Sequence, residues 1–151
     1  MHNWFQGSVT YEKTAEEGKI VKAVESYLVD ALSFTEAEKR LIDEMKPFIS
    51  GEFKVSGIRR AKINEMFFNE KGDKWYRAKV VFVSLDEEKG VEKLTAVTMY
   101  AQADTFKGAV EEIEKGMSGS MADYRIKSLT ETNIEDVFKY VPPVEDEATE
   151  G

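Results

Sequence analysis

"ALSFTEAEKRLIDEM" (residues 31–45) and "ADTFKGAVEEIEKGM" (residues 103–117) decide how this chain is to be read. Ala31, Phe34, Ala37 and Met45 return as Ala103, Phe106, Ala109 and Met117, each 72 positions on. In the first stretch Ser33 and Thr35 are each followed three residues later by glutamate, the spacing of a capping box that satisfies free amides at a helix start. Phe34, Ala37, Leu41, Met45 and Phe48 then fall on one apolar stripe, and Pro47 shortens the helix. In the second stretch Phe106, Ala109, Val110, Ile113 and Met117 trace the same stripe, with Gly116 and Gly119 suited to its end.

The echo continues outward. Trp4 matches Trp75 and Phe67 matches Phe138, both at a spacing of 71. Acidic glycine turns, "AEEGK" (15–19) and "DEEKG" (86–90), fall at corresponding places and predict hairpins. Before each turn apolar residues alternate with polar ones: Phe5, Val9 and Tyr11 in one half, Tyr76, Ala78, Val80 and Phe82 in the other. Period-two alternation marks strands with one buried face. Residues 4–67 and 75–138 therefore read as two strand-strand-helix-strand units in a single duplicated α+β domain over 1–140. Both helices are expected on one face of a mostly antiparallel sheet. The segment from Ile58 to Phe82 is expected to form a hairpin turning at Asn69–Asp73.

Composition narrows the function. The 151 residues are 42% hydrophobic and 33% charged, in the normal range for a globular protein. There is no cysteine, which excludes disulfides and thiolate chemistry. No apolar run approaches the roughly 18 residues of a membrane span, and the first residues lack a signal peptide's basic and apolar regions. A cytoplasmic protein without membrane contact is expected. Glu145, Asp146, Glu147 and Glu150 supply half of the net charge of −8, so 141–151 reads as a flexible acidic tail.

Chemistry-bearing motifs are sparse. His2 is the only histidine and stands at a terminus expected to be mobile, so zinc and most redox metals have no ligand set. There is no calcium loop, no phosphate cradle of the P-loop type, and no serine with an assignable base. A non-enzymatic protein without cofactor is the expectation.

The face turned away from the helices is more informative. Alternation places Trp4 and Trp75 there, with Arg77 and Lys79 following, and Lys54, Arg125 and Lys127 on later strands. Aromatic rings and cations on an open sheet suit single-stranded DNA or RNA, because bases stack and basic groups follow phosphates. Arg59, Arg60 and Lys62 would extend the track from an edge strand. The net charge opposes non-specific attraction to a polyanion. The rival expectation uses the same face for a protein partner or a homodimer, since aromatic and arginine side chains anchor such interfaces.

The segments "MHNWF", "YEKT", "YLVDALSFTEAE", "PFISGEF", "FFNEKGDKWY", "AVTMYAQA" and "GMSGSMADY" together resemble the family catalogued as domain of unknown function 4494, of gut anaerobes and their phages. The resemblance extends to about Tyr140. It implies a single-domain protein carried on mobile or phage DNA, and it assigns no activity, ligand or site residue.

Overall fold

The computed structural model describes residues 2–140; the expected acidic tail at 141–151 lies outside the described residues. Ten principal elements follow one another as β1 (Trp4–Thr14), β2 (Ile20–Asp30), α1 (Phe34–Met45), β3 (Phe53–Ala61), β4 (Glu65–Phe67), β5 (Lys74–Asp86), β6 (Val91–Ala103), α2 (Phe106–Met117), β7 (Asp123–Glu131) and β8 (Ile134–Phe138). The order strand, strand, helix, strand, short strand thus occurs twice.

The α+β class holds, with two helices and two mostly antiparallel sheets. One sheet has the order β3-β1-β2-β8 and the other β4-β6-β5-β7. The strands thus divide between two sheets, each with its own helix, where one sheet carrying both was expected. Alternation dictates which face a strand buries, but not whose edge it joins. The expected hairpin across Asn69–Asp73 is absent for the same reason. A turn does form there, with the Gly72 amide donating to the Asn69 carbonyl at 2.8 Å. However, β4 pairs in parallel with β6, which separates it from β5.

The short last strand of each half lies in the sheet built by the other half's hairpin. β4 follows β3 along the chain but joins the second sheet, and β8 follows β7 but joins the first. Two compact units result, Met1–Arg60 with Val137–Gly151, and Ala61–Asp136.

In the first unit β1 and β2 pair along their full length, from Trp4↔Asp30 to Thr14↔Ile20. Glu16–Gly18 closes the hairpin as a single 3-10 turn, with Gly18 at φ +77 where a side chain would be strained. The Ser33 hydroxyl accepts from the Glu36 amide at 3.1 Å, so Ser33 rather than Thr35 caps α1. Ala37, Leu41 and Met45 of α1 pack with Phe5, Val9, Tyr27 and Val29 of the sheet. Phe34 lies half exposed with its ring edge-on to Phe5, and Phe48 is exposed, so the apolar stripe is shorter than expected.

The second unit repeats this chemistry. Thr105 caps α2 by accepting from the Gly108 amide at 3.0 Å. Ala109 and Ile113 pack on Tyr76, Ala78, Val80 and Met99. Phe106 meets Tyr76 edge-on at 5.0 Å between centroids, as Phe34 meets Phe5. Gly116 lies inside α2 and does not end it; its lack of a side chain makes room for Phe67.

Candidate functional site

The seven candidate residues divide between the two units. Trp4 and Lys54 belong to the first unit, and Trp75, Arg77, Lys79, Arg125 and Lys127 to the second. Neither tryptophan is the open stacking platform that alternation suggested: Trp4 is 5% exposed and Trp75 2%. Their side of the sheet is as expected, but that face is buried at this end. Leu28 and Tyr100, on the same faces by register, are also buried. Trp4 stacks on His2 at 5.6 Å between centroids, and Trp75 and Phe68 meet in a T-shaped contact at 5.3 Å.

In the second unit the remaining cations converge. Arg77 and Lys79 are two apart on β5, so both point away from the helix. The register places Arg77 opposite Tyr100 on β6 and Thr130 on β7, and Lys79 opposite Thr98 and Ser128. A shallow, open depression of about 270 Å³ is lined by Arg77, Lys79, Thr98, Ser128 and Thr130, with Ala78, Ala96 and Val97 between them. Two cations and three hydroxyls on adjacent strands can donate from several directions to one oxyanion.

Lys127 stands at a β-bulge: Lys79 pairs with Ser128, but Val80 pairs with Ile126, leaving one extra residue on β7. Bulges re-aim side chains, and this one lies beside the depression. Arg125 sits opposite Val81, farther along the same face.

Ion pairing separates these cations. Arg125 approaches Glu92 at 4.0 Å, and Lys74 donates to Glu131 at 3.3 Å. That hydrogen bond and the carboxylate's charge raise the Lys74 ammonium above its ordinary pKa. Among the described residues, neither Arg77, Lys79 nor Lys127 has a carboxylate within ion-pairing reach. Within the described residues, their charge is left to an external anion. Lys54 instead lines a separate open depression of about 680 Å³ in the first unit, together with Lys22, Glu12 and Glu52. Charges of both signs there cancel any preference for an anion.

Sequence reasoning passed over Thr98, Ser128 and Thr130, which belong to the site only through cross-strand register. It also misplaced His2. That ring hydrogen-bonds through Nδ1 to the Asp30 carboxylate, whose other oxygen accepts from the Asn3 amide at 3.0 Å. The Asp30 residue is buried, and its carbonyl accepts from Arg40.

A histidine–aspartate pair invites a catalytic interpretation, but the second unit argues for a structural one. There Gln102 takes the corresponding position, accepts from the Asn69 amide at 3.0 Å and donates to the Gly72 carbonyl at 3.1 Å. In each unit a side chain at the end of the second strand ties down the chain entering the first. Asp30→Ala would leave the Asn3 amide and the His2 ring unpaired and is expected to cost about 1–3 kcal/mol. Urea unfolding followed by circular dichroism checks this value.

A family model described as Domain of unknown function (DUF4494) matches residues 3–140. No curated protein and no solved structure matches the chain. Among the described residues no helix is long and apolar enough to cross a membrane.

Proposed function

The chain belongs to the family of domain of unknown function 4494, and we propose that it is a non-enzymatic protein that binds single-stranded nucleic acid through phosphate contacts on the helix-free face of its second sheet. The observation that carries this reading is the depression lined by Arg77 and Lys79, with no carboxylate paired to either cation among the described residues. Lys127 continues the basic track, and Arg125 lies beyond it, beside Glu92. With Trp4 and Trp75 buried, the binding mode shifts from base stacking toward phosphate recognition, which is sequence-independent and sensitive to salt. A net charge of −8 confines the attraction to this local patch.

We also infer that the two halves arose by duplication of one unit, which accounts for the repeated element order, the paired caps and the corresponding Asp30 and Gln102 ties. A phage setting, implied by the resemblance, is in keeping with a protein that handles nucleic acid.

Titration of a fluorescent single-stranded oligonucleotide at two salt concentrations tests the proposal. The intact protein should bind more weakly as salt rises. Arg77→Glu with Lys79→Glu should weaken binding at least about tenfold and flatten the salt dependence by about 1.4 in log–log slope, the share of two lost phosphate contacts. Lys54→Glu should leave it unchanged. Undetectable binding by the intact chain at low salt would overturn the proposal and leave the face to a protein partner.

A further inference from the structure

From the edge of the second sheet we infer that two copies of this chain pair through β6, antiparallel, on a twofold axis at Leu94. β5 accompanies β6 along its whole length, from Lys74↔Ala103 to Asp86↔Val91. On the other side β4 pairs only with Met99–Ala101. The Asn64 amide donates to the Thr98 carbonyl at 2.8 Å, which shows that Thr98 directs its main-chain groups to that outer side. Direction alternates along a strand, so Glu92, Leu94 and Ala96 also direct N–H and C=O outward. Val91–Ala96 are all exposed, Leu94 by 59%, and among the described residues no strand lies against their outer side. Such an edge is a template for another strand.

Backbone direction restricts how a second copy can fit. In a regular antiparallel ladder an outward-facing residue lies opposite another outward-facing one. A twofold axis therefore passes through a residue paired with itself. An axis at Glu92 would set two carboxylates against each other, and one at Lys93 two ammonium groups; like charges directly opposite are destabilising. At Thr95 the pairing would need the Thr98 carbonyl already taken by Asn64. With the axis at Leu94, leucine meets leucine, Val91 meets Val97, Lys93 meets Thr95 and Glu92 meets Ala96. No like charges oppose, and about six main-chain hydrogen bonds form. The contact is self-complementary, as a twofold interface must be. Opposite residues share a face in this register, so the Arg77–Lys79 depressions of both copies open on the same side of one continuous sheet.

Sedimentation velocity of the full chain over a concentration series tests the inference, with twice the monomer mass expected at high concentration and dissociation on dilution. Ala96→Pro removes one outward N–H and leaves the ladder to β5 intact. Leu94→Lys puts two cations on the axis. Each should yield a monomer with unchanged circular dichroism and urea midpoint. A wild-type chain that stays monomeric throughout, or a dimer that survives both substitutions, would overturn it. The mass measurement is independent of oligonucleotide binding, so either proposal can fail alone.

Discussion

Ending the chain at Asn133 is expected to strip the first unit of most of its stability, measured against a chain ending at Tyr140. The cut removes β8, which flanks β2 in the first sheet. Phe138 stacks on Tyr27 at 5.6 Å and packs against the core that contains Leu41 and Val29. Val137, beside it, is buried. Two further contacts go with them: Arg40 donates to the Lys139 carbonyl at 3.3 Å, and its guanidinium lies over the Tyr140 ring. Burial of each large apolar side chain contributes about 1.5–3 kcal/mol, so the loss reaches on the order of 5 kcal/mol. That is comparable to the whole stability of a small domain. Urea unfolding should show a transition at much lower denaturant, and proteolysis should cut first within residues 2–60. Coincident unfolding curves for the two chains would refute the expectation.

Gly116→Ala is the second large effect, and its sign is what makes it informative. On an exposed helix position this change stabilises by up to about 1 kcal/mol. Here the new methyl carbon would lie 2.2 Å from the Phe67 ring, with three ring atoms under 3.0 Å. Phe67 is held in β4, which pairs with β6 through only three residues, and it packs on the second core. Overpacking of this kind costs about 1–3 kcal/mol, which outweighs the gain in helix propensity. Gly116→Ala should therefore lower the urea midpoint. Combining it with Phe67→Ala should cost less than the sum of the single changes, because the clash disappears. A rise in stability for Gly116→Ala alone would show that the ring swings away freely.

Local chemistry made much of this fold legible before any coordinates. Ser33 and Thr105 stand before amphipathic stretches, and the glycine turns at 18 and 90 join alternating strands. Both helices and both long hairpins follow from these short-range rules. The sheet partners of β4 and β8 do not. A three-residue strand such as Glu65–Phe67 carries too little pattern to specify a neighbour more than thirty positions away. The candidate site divides along the same line. The outward direction of Arg77 and Lys79 follows from alternation within β5, whereas the hydroxyls of Thr98, Ser128 and Thr130 reach them only through cross-strand register. Alternation assigned Trp4 and Trp75 to the helix-free face, but whether a face is wet depends on tertiary packing, which period-two spacing does not encode. His2 needed the same long-range information, because its anchor, Asp30, is 28 positions away.

The exchange of β4 and β8 also has a cost in time. A ribosome adding about 5–20 residues per second completes β2 roughly 5–20 s before β8 exists. Throughout that interval the hairpin of the first unit has a free margin where its last partner belongs. Nascent chains on one messenger sit close together, and an open strand margin is where they would adhere to one another. Lys22 and Glu25 interrupt the apolar residues of β2 with opposite charges, the kind of gatekeeping that keeps unavoidable strands from sticking to their neighbours. Glu25 serves the finished protein as well, because its carboxylate accepts from the Tyr27 hydroxyl at 2.9 Å; Lys22 forms no ion pair among the described residues. Neutralising Lys22 alone should leave the purified molecule about as stable as before while lowering the fraction recovered soluble from cells.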